Sequence, residues 1–174
     1  MGADNNGYKV LVVDDEVMVR EMIAQILTIA GHQAIAVANG REALELMDLH
    51  AFDAVITDIC MPEMDGITLT QEILARYGDL PIMVITGYPD QYSSESAIKA
   101  GAMEFIIKPF SSPEMAVRFN KMMAGFTMVN ELKNKKSELA QKGSKIVSEI
   151  KSEADLEIKR LQAEVEALRH NQTT

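Results

Sequence analysis

Five short apolar runs recur through the first 124 residues, at 9–13, 34–37, 52–57, 81–86 and 103–107, and a helix-length segment separates each from the next. The first, which ends abruptly in acids, reads as a strand buried on both faces, and the others read as short strands. Between them, residues 17–30 space Met18, Met22, Ile26 and Ile29 by three or four, which predicts a helix stripe. Gly31 stands where that helix would stop. Asn39 is placed to cap a helix reaching about His50. Further helices are predicted over 66–76 before Gly78, over 91–100 before Gly101, and from Ser112-Pro113-Glu114 onward, with Ser112 as cap and Pro113 at the first helical position. Strands alternating with helices predict an α/β fold, a doubly wound parallel sheet covered on both sides. Right-handed crossovers leave only a few topologies.

In such open sheets the ligand site lies beyond the C-terminal ends of the strands. Asp14 and Asp15 follow the first run, Asp58 the third, Thr86 closes the fourth and Lys108 follows the fifth. Four separate stretches of chain thus meet at one rim. Three carboxylates crowded together raise one another's pKa unless a cation intervenes. A hard divalent ion with oxygen ligands answers that need, and Mg²⁺ suits a few carboxylates, a backbone carbonyl and retained waters. A carboxylate can also act as a nucleophile and form an aspartyl phosphate. Phosphoryl transfer asks chiefly for positioning and charge neutralisation. Mg²⁺ and the Lys108 ammonium would supply both, and the Thr86 hydroxyl could donate to a phosphate oxygen.

The segment Asp58-Ile59-Cys60-Met61-Pro62-Glu63-Met64-Asp65-Gly66 resembles the phosphoacceptor loop of response-regulator receiver domains. Val13-Asp14-Asp15-Glu16, Ile85-Thr86-Gly87 and Phe105-Ile106-Ile107-Lys108-Pro109-Phe110 resemble that family's other motifs, in order and with its spacing over residues 8–122. The resemblance implies a five-stranded sheet of order 2-1-3-4-5 with five helices. It implies Asp58 as phosphoacceptor and a Mg²⁺ site formed by Asp14, Asp15, Asp58 and the backbone carbonyl of Cys60. Lys108 would pair with the phosphoryl group, Thr86 would move toward it, and Phe105 would turn inward with Thr86. The Lys108–Pro109 bond is cis in this family. The implied partners are a sensor histidine kinase or phosphotransfer protein upstream and a protein target downstream. The chain would be a switch in a phosphorelay rather than an enzyme.

Each residue also has a plainer reading. Asp14 and Asp15 could cap the first helix, Asp58 could serve a turn and Lys108 could be a solvated surface charge. Thr86 could be a strand former, and Phe105 a core aromatic. Gly66, Gly87 and Gly101 are assigned to turns and caps. Cys60, the only cysteine, has no neighbouring His or Cys to make a metal site and reads as a small core side chain. His32, His50 and His170 are scattered. Met115, Met122, Met123 and Met128 read as helical core or as adaptable contacts for a partner. An aspartyl-phosphate phosphohydrolase would carry a second Asp two residues after the nucleophile, and Cys60 stands there. A receiver-like scaffold that is no longer phosphorylated is the remaining alternative.

Domain limits are placed at a disordered 1–7, a receiver over 8–124, a helical coiled-coil extension over 125–170 and a disordered tail over 171–174. Residues 125–170 contain no Pro and only two glycines, Gly125 and Gly143. Val129, Leu132, Leu139, Ile146 and Ile150 follow heptad spacing, with Lys136 and Gly143 in apolar slots. After Ile150 the phase slips by four through Ala154 to Ile158, a stutter, then runs through Leu161, Val165 and Leu168. A long helix that pairs into a homo-oligomer is expected. Five lysines lie within 133–145, and six acids against three bases within 149–166, which could favour antiparallel pairing or a hairpin bending at Gly143-Ser144. Residues 1–124 hold 8 Lys/Arg against 18 Asp/Glu, a net of −10, which argues against direct DNA binding. No run approaches membrane-spanning length, and no secretion signal is read, so a cytoplasmic protein is expected. If residue 174 ends the protein, output passes through contacts of the receiver or the coiled coil. Otherwise the chain is a fragment whose output domain follows.

Overall fold

The apolar runs form strands, and the segments between them form helices. The computed structural model describes residues 7–88 and 94–171. The strands are β1 (Lys9–Val13), β2 (Gln33–Val37), β3 (Ala54–Asp58), β4 (Ile82–Thr86) and β5 (Glu104–Ile107). The helices are α1 (Val17–Ile29), α2 (Gly40–Leu49), α3 (Gly66–Tyr77), α4 (Ser94–Lys99) and α5 (Ser112–Asn171). All strand pairs are parallel, in the order β2-β1-β3-β4-β5, as expected. The expected disorder of 1–7 and 171–174, and the start of the fourth helix at 91, fall largely outside the described residues.

β3 and β4 are buried along their whole length, which explains why neither alternates with polar residues. One face of the sheet carries Leu11, Val55 and Val84 against Leu44 of α2 and Leu69 and Ile73 of α3. The other carries Val12, Ile56 and Ile85 against Ile23 and Leu27 of α1 and Phe119 of α5. Each such aliphatic side chain contributes about 1.5–3 kcal/mol when fully buried.

Two local expectations need correction. In α1 the buried face is Ile23, Ile26 and Leu27, whereas Met18 and Ile29 are 79% and 80% exposed and Met22 is 38% exposed. Ile26 is buried as expected; the helix is apolar on more than one side, and its docking on the sheet turns Ile23 and Leu27 inward in place of Met18 and Ile29. At the start of α5 the capping hydroxyl belongs to Ser111, whose Oγ accepts the Glu114 N–H at 3.2 Å, and not to Ser112. The Asn39 cap is as expected, with the side chain accepting from Glu42 N. Of the four clustered methionines, Met115, Met122 and Met123 are core and Met128 is exposed.

Chain contacts divide the molecule into two units, Met1–Phe126 and Thr127–Thr174. Within the second unit the helix runs without interruption through Gly143, so no hairpin forms there. Every side chain from Glu131 to Leu168 is exposed.

Candidate functional site

Strand register builds the site. Val13 pairs with Thr57 across β1 and β3, so Asp14 and Asp58 are the next residues in line on neighbouring central strands. Both are buried, at 1% and 4% exposure. β4 pairs with β5 through Thr86 and Ile107, and the Lys108 N–H donates to the Thr86 carbonyl at 2.7 Å. That fixes the backbone from which Lys108 reaches back across the rim. The Lys108–Pro109 bond is cis.

Lys108 Nζ stands 2.7 Å from Asp58 Oδ1, 3.0 Å from Asp14 Oδ2 and 3.3 Å from Glu16 Oε1. Apart from this ion pair, Asp58 Oδ1 has no partner among the described residues, so it is a buried oxygen with acceptor capacity to spare. Asp58 Oδ2 accepts the Cys60 N–H at 2.6 Å. Asp14 Oδ1 accepts the Glu16 N–H at 2.9 Å, and its backbone carbonyl accepts from the Arg20 guanidinium. Asp15 is exposed. Burial raises the Asp14 carboxyl above the usual range, against the hydrogen bond and charge of Lys108. Burial works to lower the Lys108 ammonium, but the Asp58 and Asp14 carboxylates outweigh it and hold the lysine well above its ordinary value. Lys108 is therefore charged at any physiological pH.

The plainer readings can be weighed against this geometry. Neither Asp14 nor Asp15 caps α1; its N-cap is Glu16, which makes no side-chain capping bond. Lys108 is not a solvated charge, because its side chain is only 16% exposed. The Cys60 thiol is raised first by burial and then by the Asp58 charge, which disfavours a reactive thiolate. His32 is structural: its Nδ1 accepts the Tyr8 N–H at 3.3 Å and its ring packs 5.1 Å from that of Phe119.

Thr86 is fully buried and its Oγ1 accepts the Tyr88 N–H at 3.0 Å. Phe105 pairs with Val84, two residues before Thr86, so Phe105 and Thr86 share one face of the sheet. Phe105 is half-buried against the core on that face.

Two contributors were not legible as such. Glu16 is the third carboxylate on Lys108, although its motif gave it no role. Gly66 does more than serve a turn. In the structure its N–H donates to the Ile59 carbonyl at 2.9 Å, and a Cβ there would lie 2.1 Å from the Asp58 carbonyl oxygen. The loop from Asp58 to Gly66, with Glu63 at a left-handed φ of 66°, closes only because that side chain is missing.

The donor set is oxygen-rich. Among the described residues, no three carboxylate, imidazole or thiol side chains gather into a complete metal cage. Mg²⁺ does not require one, since it binds through one or two carboxylates and keeps several waters. Asp58 Oδ1, with acceptor capacity to spare, and the exposed Asp15 carboxylate suit such an ion.

Known proteins are similar to this chain in sequence and in fold. The family model described as "Response regulator receiver domain" matches residues 10–120. The chain is 34% identical over 116 residues to the "Probable transcriptional regulator ycf27" of Cyanidium caldarium, covering 67% of this chain and 46% of that one. It is 33% identical over 135 residues to the transcriptional regulatory protein PdtaR of Mycobacterium tuberculosis, covering 77% and 65% respectively. The chain thus spans about half the length of ycf27 and its like. Among solved structures, the chemotaxis response regulator CheY4 of Vibrio cholerae superposes with a TM-score of 0.61 at 30% identity, over 68% of this chain and 99% of that one. NtrX from Brucella abortus superposes with a TM-score of 0.70 at 30% identity, over 74% of this chain and 29% of that one. Among the described residues no helix is long and apolar enough to cross a membrane.

Proposed function

The chain belongs to the response regulator receiver domain family, and on that footing we propose that it is a switch thrown by phosphorylation of Asp58. The observation that carries this reading is the buried Asp58 carboxylate, held 2.7 Å from the Lys108 ammonium while Oδ1 keeps unused acceptor capacity. In the proposed step a carboxylate oxygen of Asp58 forms a P–O bond as the P–N bond of a donor phosphohistidine breaks. The donor imidazole leaves with the bonding electron pair and takes up a proton. A sensor histidine kinase or a phosphotransfer protein is the proposed donor.

Asp14, Asp15, Asp58 and the backbone carbonyl of Cys60 are the proposed Mg²⁺ ligands. When bound, the ion neutralises charge on the carboxylates and on the transferring phosphoryl oxygens. Lys108 already counters two buried carboxylates, and would turn to a phosphoryl oxygen once Asp58 is modified. The Thr86 hydroxyl, at the C-terminal end of β4, is the proposed second donor to the phosphoryl group. Turning to donate to the phosphoryl group, it would release the Tyr88 N–H that it now accepts. Phe105, on the same sheet face, is the side chain placed to follow. The altered surface would be that of α4, β5 and α5, read by a downstream protein. Relatives named as transcriptional regulators make gene expression a candidate output. The net charge of −10 over residues 1–124 argues that this unit does not itself hold DNA. The exposed apolar side chains of α5 beyond Thr127 support self-association through residues 125–170. Such a phosphorelay component would work in the cytoplasm.

The test is intact-protein mass after incubation with Mg²⁺ and a small-molecule phosphodonor, wild type beside Asp58→Asn. A labile gain of about 80 Da, confined to wild type and to samples with Mg²⁺, is expected. An equal gain in Asp58→Asn would overturn the assignment. No gain under any condition would leave a receiver fold acting as a scaffold.

A further inference from the structure

A helix with no partner should not stay straight and solvated over residues 127–168. Isolated helices are marginal in water and take most of their stability from burying an apolar face. Here that face is open. Leu132 is 58% exposed, Ile150 60% and Leu168 60%.

The spacing of the stripe identifies what covers it. Taken through Val147 in place of the adjacent Ile146 of the heptad reading, which is also apolar and exposed, the stripe from Val129 to Leu168 steps 3-4-3-4-4-3-4-4-3-4-3. That series reads the same in both directions. Its midpoint falls between Ser148 and Glu149.

We propose that residues 127–168 pair with the same segment of a second copy, antiparallel, about a twofold axis passing between Ser148 and Glu149. This deepens the self-association reading of α5 and is independent of phosphoryl chemistry. A palindromic stripe run against itself places each stripe residue opposite another. Val129 meets Leu168, Leu132 meets Val165, and Leu139 meets Ile158. The two weak slots also resolve. Gly143 faces Ala154, a small pair that allows close approach, and Lys136 faces Leu161, over which its methylene stem can lie while the ammonium reaches water.

Charge supports the same direction. Flanking positions of an antiparallel pair bring Lys142 near Glu157 and Lys135 near Glu164 of the second copy, and the twofold axis repeats both contacts. A parallel, in-register pair would stack Lys136 on Lys136 in the seam and set the lysine block of 133–145 against itself. The 4-4 steps beside the centre replace a continuous heptad pattern by a locally unwound one.

The experiment uses the full chain. Sedimentation equilibrium is expected to give the mass of two 19.2-kDa chains. Zero-length carbodiimide cross-linking of mixed ¹⁴N and ¹⁵N protein is expected to join Lys142 to Glu157 and Lys135 to Glu164 between chains. Within one helix these residues lie about 22 and 44 Å apart, beyond reach of such a link. Lys142→Glu should weaken association about tenfold, and adding Glu157→Lys should restore it. A single-chain mass would overturn self-association altogether. A dimer in which Leu132→Cys forms a disulfide with its own counterpart would keep self-association and overturn the antiparallel register. So would a dimer indifferent to Lys142→Glu.

Discussion

Lys108 reaches from beyond β5 to Asp58 at the end of β3, with Nζ 2.7 Å from Oδ1, and the same ammonium holds Asp14 at 3.0 Å. One cation therefore ties two buried carboxylates that would otherwise repel. The rim is a charge balance.

Replacing that cation by an apolar side chain of similar length exposes the balance. Lys108→Met leaves Asp14 and Asp58 buried without a counter-ion, at a cost on the order of 3 kcal/mol at neutral pH. Urea denaturation at several pH values is the measurement. The loss should shrink as the pH falls and Asp14, whose carboxyl burial holds above its ordinary value, takes up a proton, because a neutral carboxyl needs no cation. A variant as stable as wild type at pH 7 would show that Lys108 is not the balancing charge.

Asp15 is exposed and stands outside the Lys108 contacts, so its charge is available to an incoming ion. Asp15→Asn should weaken Mg²⁺ binding at least about tenfold while leaving metal-free stability within roughly 0.5 kcal/mol. Calorimetric Mg²⁺ titration and thermal melts in chelator read the two separately. Unchanged Mg²⁺ affinity would remove Asp15 from the ligand set. In wild type, chelation should abolish the mass gain at Asp58 without unfolding the chain.

Gly66 yields space to the backbone of Asp58. Gly66→Ala would place a methyl 2.1 Å from the Asp58 carbonyl oxygen and 3.0 Å from the Ile59 Cα, both backbone atoms with little room to yield. A cost of about 2 kcal/mol or more is expected, together with slower phosphoryl uptake as the loop shifts. Gly143→Ala, with nothing near its Cβ position within one chain, serves as the control and should not destabilise the receiver. Equal stability of Gly66→Ala and wild type would mean the loop has slack that the structure does not show.

On the far side from the rim, the Tyr77 hydroxyl donates to the Asp48 carboxylate. Burial first, then the hydrogen bond and charge of Asp48, raise the phenol above its ordinary value. Because the folded-state value is the higher one, the contribution is complete below the unfolded value and is lost as pH rises through the folded one. Stability should therefore decline from about pH 10 upward. Tyr77→Phe should flatten that part of the profile. Parallel profiles for the two proteins would deny the pair any role in alkaline stability.

Much of this was written in the linear chain. A buried parallel strand must be apolar throughout, so β1, β3 and β4 announce themselves without reference to neighbours, and an acid closing such a run marks the strand's C-terminal end. Asp14, Asp58 and Lys108 were therefore legible as one group, because the α/β topology sends every strand end to the same rim. Local chemistry likewise set the Asn39 cap, which needs only Glu42 three residues on.

What required the tertiary structure was every choice between local equivalents. α1 offers two apolar stripes, and only its docking on the sheet decides that Ile23 and Leu27 go inside while Met18 and Ile29 stay out. Ser111 and Ser112 are equally good caps until the chain's entry into α5 selects one. Glu16 joins Lys108, 92 residues away in sequence, through a path that no spacing encodes. Gly66 is needed because of where the Asp58 carbonyl comes to lie, a contact between segments that exists only once the loop has closed. Sequence patterning determines which elements form, since burial and hydrogen bonding act on neighbouring residues. Packing determines which of several compatible faces, caps and partners is used, since those energies depend on atoms brought together from distant parts of the chain.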